Sequence, residues 1–249
     1  MRGNQMMRAL DNRDRHEDRA IHTRNLAVGY SNVTVLDGID MTVDDGSTVA
    51  LVGRSGCGKT TLLKTFAGIL PPRSGEATVL GTTLPDRPEP GTLGYIPQSL
   101  GLIMHGTVLR NVLLGTLADL GRVGSLLGRF PPEAHTQAMA AIEAVGLDGD
   151  AQTRVQALSG GKRRRVAIAR AFVQQPRLLL ADEMLSELDE ETAATMIACL
   201  ETLQAETGMA VVIVEHDLDV AFELADRVLT LQEGAIKHAV QPTDRSVND

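Results

Sequence analysis

The sequence predicts an α/β fold built on a parallel sheet that carries a helical insertion, and three observations predict it. Short apolar strands alternate with helices through the second half of the chain, the pattern of a sheet covered on both faces. A glycine-rich turn, Gly53 to Thr60, joins an apolar run to a helix. A mostly helical stretch, residues 99 to 157, interrupts the alternation.

From Thr23 the β-rich runs TRNLAV, VTVLDGIDMTV and STVALVG come first, with turn residues between them. A helix from about Lys59 to Ala67 puts Leu62, Leu63 and Phe66 on one side and stops at Gly68 and the Pro71–Pro72 pair. EATVLG and TLGYIP return to strand character. Glycines break the middle block, and Pro131 and Pro132 suit a helix start ahead of Met139, Ile142 and Val145. A helix near 160 to 174, the strand RLLLAD, a helix over about 190 to 206, the strand MAVVIVE, a helix near 218 to 225 and the strand RVLTLQ complete the pattern.

Composition narrows the function classes. With 249 residues, 43% of them hydrophobic, the chain can bury one core, or a core with a second lobe against it. A formal net charge of -8 argues against nucleic acid as a partner, which needs a dominant basic face. The longest purely apolar run, AVVIV at 210 to 214, falls far short of the roughly 20 residues of a spanning helix. The first twenty residues mix charges of both signs without an apolar core; they read as a disordered leader, with Met6 or Met7 a candidate start. Cys57 and Cys199 suggest no disulfide framework, in keeping with a reducing cytosolic location.

GRSGCGKT, Gly53 to Thr60, follows the strand TVALV and opens a helix. Gly53, Gly56 and Gly58 let backbone N–H groups turn inward around phosphate oxygens, and the helix N-terminus adds its positive dipole end. Arg54, Ser55, Cys57 and Thr61 complete the cradle, Lys59 reaches the β- and γ-phosphates of a nucleotide, and the Thr60 hydroxyl suits Mg²⁺. Cys57 holds a position that tolerates many residues.

RLLLADE, Arg177 to Glu183, is a strand ending in two carboxylates. On their own they are a pair of turn acids. Beside a phosphate loop, at the sheet edge where ligands bind, Asp182 becomes the Mg²⁺ ligand and Glu183 the group that orients or deprotonates the attacking water. His216 ends the next strand, AVVIVEH; a lone histidine there is as easily structural, and its place on the same edge favours the γ-phosphate or the water.

GRSGCGKT, LSGGK, LLLADE, SELD and VEH, in that order with Gln98 between the first two, resemble the nucleotide-binding subunits of ABC transporters, over residues 22 to 238. LSGG is the discriminating element. The resemblance implies a RecA-like P-loop NTPase core with an N-terminal antiparallel β-subdomain and an inserted helical subdomain at about 99–175, one ATPase domain over 21–238 and a flexible tail at 239–249.

It also implies ATP and Mg²⁺ as ligands, Tyr30 stacked on adenine, and Gln98 sensing Mg²⁺ and coupling the site to the helical insertion. Asp189 of SELD falls at a dimer interface, where it can also cap the next helix. Ser159, Gly160 and Gly161 complete the ATP site of a second subunit, so the expected partners are a homodimer mate or a paired ATPase, integral membrane permease subunits and an extracytoplasmic solute-binding protein. The location implied is the cytoplasmic face of the membrane.

Residues 111 to 147, with NVLLG, SLLGRFP and AVGL, are similar to the phosphonate-type importer ATPases, implying import of a small oxyanion. Another solute or export, a soluble ABC ATPase acting on ribosomes or DNA, and a P-loop kinase are the alternatives; the last has no use for LSGGK. The chain departs from the family at Lys162, where glutamine is commoner, at Met184 in place of proline, and at Glu187 in place of a small residue. Of the basic run in LSGGKRRRVAIAR, Lys162 is expected near the partner's nucleotide and Arg163 to Arg165 on a solvated or salt-bridged face.

Overall fold

Among the described residues, 19–118 and 130–241 of a computed structural model, ten strands form two sheets. The first is antiparallel, in the order β2 (Val33–Asp44), β1 (Arg19–Tyr30), β4 (Ser74–Val79), β5 (Thr82–Thr83). The second runs β10 (Ala235–Val240), β9 (Arg227–Gln232), β3 (Thr48–Val52), β8 (Ala210–Val214), β7 (Leu178–Asp182), β6 (Leu93–Ile96). Its strands are parallel except for β10, which folds back along β9 as a hairpin.

All residues of β3, β7 and β8 are buried, which is why they read as unbroken apolar runs. Alternate residues leave the sheet on opposite sides. Val49, Leu51, Leu178, Leu180, Val212 and Val214 join the cluster with the antiparallel sheet and with Leu62, Leu63 and Phe66 of α1 (Lys59–Phe66). Ala50, Val52, Leu179, Ala181, Val211 and Ile213 join the cluster formed with the remaining helices. Those helices are α2 (Val108–Leu113), α3 (Pro132–Ala144), α4 (Gly160–Phe172), α5 (Glu190–Thr207) and α6 (Leu218–Leu224).

The core is the α/β fold predicted from the strand–helix alternation, with the antiparallel sheet that the resemblance implied. Four details differ from the sequence-based expectation. The described part of residues 99 to 157 is less helical than predicted, holding α2, α3 and short 3₁₀ turns. Its loop is instead stitched by buried Asn111, which accepts from the Ile103 N–H at 2.8 Å and donates to the carbonyls of Ile103 and Thr107. Main-chain bonds from Val108 to Thr153 and from Val155 to Gly106 bind the loop to the segment before α4. Gly101 and Gly106 within it break the helical repeat.

Second, β1 takes in Arg19 and Ala20, assigned above to a leader; Ala20 is fully buried. Third, β10 takes in Ala239 and Val240, assigned to a tail; its pattern is too polar to signal a strand, and the Glu233–Gly234 turn, with both φ positive, is what makes the hairpin. Fourth, β8 stops at Val214, so Glu215 and His216 lie beyond it. Residues 1–18, 119–129 and 242–249 lie outside the described residues, and with them most of the SLLGRFP stretch and most of the predicted leader and tail.

Candidate functional site

The three strands whose ends carry the predicted motifs, β3, β8 and β7, are neighbours in the sheet. Being parallel, they deliver the glycine loop, His216 and the Asp182–Glu183 pair to one edge. A cavity of about 210 Å³ opens there, with Ser55, Gly56 and residues 58–61 on one side and Gln98, Glu183 and His216 on the other.

The loop's glycines are required by space and by backbone. Gly53 has φ 149°, and a Cβ there would sit 2.4 Å from the Leu231 carbonyl oxygen. Gly58, the N-cap of α1, has φ 108°, and a Cβ would collide with the Leu36 side chain at 2.8 Å. Any other residue forces the loop open. Lys59, 5% exposed, is held over the loop by donating to the carbonyls of Gly53 at 2.6 Å and Arg54 at 3.2 Å. A cation and inward N–H groups at a helix start make an anion site.

Asp182 is fully buried, and the Thr60 hydroxyl beside it is the one donor close enough to act on its oxygens, without the geometry of a full hydrogen bond. Burial pushes its carboxyl above the usual range; the neighbouring Thr60 hydroxyl and the Lys59 ammonium oppose this, while Glu183 adds to it. A buried carboxylate without a full hydrogen bond is costly, and a divalent cation shared with Thr60 fits both vacant lone pairs and the hard oxygen chemistry of Mg²⁺.

Glu183 hangs directly over the loop. Its Oε2 accepts from Gln98 Nε2 at 3.0 Å, and its Oε1 lies 2.5 Å from His216 Nε2. These three predicted residues, each just past the end of β6, β7 or β8, thus meet at one carboxylate. Its backbone is in the left-handed region, φ 58°, a conformation that side chains avoid and that functional sites often retain.

Other predicted residues lie apart from the cavity. Arg54 and Cys57 line a different one, beside the turn from β9 to β10, and the Cys57 N–H is spent on the Arg54 carbonyl. Tyr30 is 44% exposed at the end of β1, its ring 6.0 Å from the Lys64 ammonium. Ser159 caps α4 through the Lys162 N–H, and Gly160 and Gly161 face Glu187 of the same chain. Asp189 caps α5, accepting from the Thr192 N–H at 2.9 Å and from its hydroxyl at 3.0 Å, which holds its carboxyl below the usual range.

Of the two readings of Arg163 to Arg165, the solvated face is not what the structure shows, and the salt-bridged one holds for Arg164, 3.8 Å from Glu187 Oε2. Lys162 donates to Asp150 at 2.6 Å, which lowers the Asp150 carboxyl. Arg163 donates to the carbonyls of Val155 and Gln156, and Arg165 to those of Val145 and Gly146. Arg164 is 4% exposed and reaches the Glu183 carbonyl. Arg163 and Arg165 close main-chain acceptors that a 3₁₀ turn and a helix end leave open. The sequence analysis gave Arg164 no part in the site and passed over Glu215; a charged residue between apolar AVVIV and His216 was the available signal for Glu215, which is 6% exposed.

The family model described as ABC transporter matches residues 36–186. An aliphatic sulfonates import ATP-binding protein of Rhizobium johnstonii is 39% identical, covering 93% of this chain and 86% of the relative. A phosphonates import ATP-binding protein of Nocardia farcinica is 36% identical, covering 89% and 85%. A spermidine/putrescine import ATP-binding protein of Spiroplasma citri is 34% identical over 92% of this chain, which spans only 63% of that relative's length. A solved dimeric bacterial ABC transporter cassette superposes with a TM-score of 0.80 at 27% identity, over 90% of this chain and 99% of that one.

Proposed function

The chain belongs to the ABC transporter family, and from that premise we propose that it is the ATP-binding and ATP-hydrolysing subunit of an importer for a small oxyanion. The observation that carries the ATPase reading is the Glu183 carboxylate, held between Gln98 and His216 above the glycine loop.

In this reading the N–H groups of the loop and the Lys59 ammonium hold the β- and γ-phosphates of ATP, with Ser55, Gly56 and Gly58 at the wall and Thr61 behind. Thr60 and Asp182 hold Mg²⁺, aided by Gln98. Bound Mg²⁺ supplies charge neutralisation on the phosphate oxygens. Glu183 accepts a proton from the attacking water, a role worth roughly 10²- to 10⁴-fold. His216 fixes the carboxylate's orientation and faces the γ-phosphate. Tyr30, at the exposed rim, is placed for adenine.

Ser159, Gly160 and Gly161 stand away from the chain's own loop, so their use requires a second copy or a paired ATPase, with Asp189 near the contact. The partners proposed are membrane permease subunits and a solute-binding protein, with the ATPase on the cytoplasmic face of the membrane. No helix among the described residues is long and apolar enough to cross a membrane. The domain proposed is a single ATPase unit with the helical part inserted.

Phosphonate-like solute draws support from the phosphonate- and sulfonate-import relatives and from the resemblance of residues 111 to 147. The polyamine relative supplies a second reading, a cationic solute. Glu183→Gln tests the ATPase: turnover should vanish while ATP binding and an ATP-dependent dimer persist, and normal hydrolysis would refute the base. For the solute, ATPase stimulation is measured in liposomes with the permease and receptor. Stimulation by phosphonate, phosphite or phosphate supports the oxyanion reading; stimulation by polyamine alone overturns it.

A further inference from the structure

Two main-chain contacts hold Glu183 from opposite sides. Its N–H donates to the Val214 carbonyl at 3.1 Å. Its carbonyl accepts from the Arg164 guanidinium at 2.5 Å and from the Ser186 hydroxyl at 3.0 Å. Between them the residue turns through the left-handed φ of 58°, which persists only where its surroundings over-determine it.

Arg164 lies in the second turn of α4, ahead of fully buried Val166 and Ile168. One arm ends on the Glu183 carbonyl, and the other stands 3.8 Å from Glu187 Oε2. Its Nε is buried without a partner, and the buried Glu215 is close enough to feel its charge. Burying a guanidinium is expensive, and packing alone would be served by an apolar side chain. The one short hydrogen bond that this charge makes is to the Glu183 backbone oxygen, with Glu187 and Glu215 as its more distant acidic neighbours.

We propose that Arg164 is a positioning residue for Glu183: it fixes the turn that aims the carboxylate at Gln98 and His216, and ties that turn to the helix bearing Ser159, Gly160 and Gly161. The proposal rests on Glu183 being the general base. Its consequence is a mechanical link within one chain. Whatever grips the N-terminus of α4 sets the position of that chain's own base.

The test is steady-state ATP hydrolysis by Arg164→Gln and Arg164→Lys, alone and in a Glu183→Gln background. Misplacing a catalytic group by about 1 Å costs on the order of 100-fold, so the glutamine variant should lose about 100-fold in kcat and the lysine variant about 10-fold. KM for ATP should stay within about threefold, since the phosphate loop is untouched. In the Glu183→Gln background neither change should move residual hydrolysis by more than about twofold, because the two residues act as a unit.

A folded variant with wild-type kcat, or a loss that multiplies onto that of Glu183→Gln, overturns the proposal. Should circular dichroism show the glutamine variant unfolded, the lysine variant, which keeps the charge, decides by its kcat alone. If Glu183→Gln itself turns over normally, the base reading falls and this proposal with it. If Glu183→Gln is inactive while Arg164→Lys matches wild type, only the positioning role falls.

Discussion

His216 Nε2 lies 2.5 Å from Glu183 Oε1 across 33 positions of sequence, because both residues follow neighbouring parallel strands. A carboxylate held this closely has its orientation set by the ring. His216→Ala should therefore lower kcat by about 100-fold with little change in KM for ATP. Wild-type turnover would reduce the pair to a structural contact.

Asp182 places function against stability. Its two oxygens are buried with no well-formed hydrogen bond, only the nearby Thr60 hydroxyl and Lys59 ammonium easing their charge, a cost that a neutral amide of the same shape relieves. In Mg²⁺-free buffer Asp182→Asn should melt no lower than wild type, yet show no Mg²⁺-dependent hydrolysis. A lower melting temperature would mean that the carboxylate has a stabilising partner within the fold.

Glu215 gives a pH dependence. Burial, with smaller contributions from the charges of Glu183 and Asp217, pushes its carboxyl up to about 7, against the Leu185 N–H and Arg164. Between about 4.5 and about 7 the folded chain keeps a proton that the unfolded chain releases, so stability is present below that window and is lost as pH rises through it. The loss amounts to about 3 kcal/mol. Glu215→Gln should thus exceed wild-type stability at pH 8 and match it below pH 4.5, as read by urea denaturation; a difference that does not vary with pH would contradict this.

Arg165 donates to the carbonyls of Val145 and Gly146, at the end of α3. Arg165→Met should lower stability by about 1–3 kcal/mol, the worth of charge-assisted bonds to carbonyls that would otherwise be left without donors. A thermal midpoint equal to wild type would restore the solvated-face expectation.

The parallel sheet was legible because β3, β7 and β8 are buried on both faces and so carry unbroken apolar runs. Lys59, Glu183 and His216 were legible because the phosphate loop narrows the meaning of every acid and histidine at the same sheet edge, whereas Gln98, an amide in a loop, was reached only through the family resemblance. The contacts of Arg163 to Arg165 were not. Their partners are main-chain carbonyls, which every residue has, so no side chain elsewhere in the sequence announces them. The hairpin of β9 and β10 was hidden for a different reason. An edge strand with an exposed face needs little apolar patterning.

Strand order has a consequence for how the chain comes into being. The phosphate-loop strand β3 sits between β8 and β9, with Thr48 paired to Val211 and Val49 to Arg227. As synthesis proceeds from the N-terminus, β3 emerges long before either neighbour exists. Its apolar residues must wait, exposed or shielded by a chaperone, until the last quarter of the chain arrives. Late closure of such distant pairs slows folding. The proposed ATP site is therefore completed near the end of folding, and a chain truncated before β8 lacks the strand that joins β3 to β7.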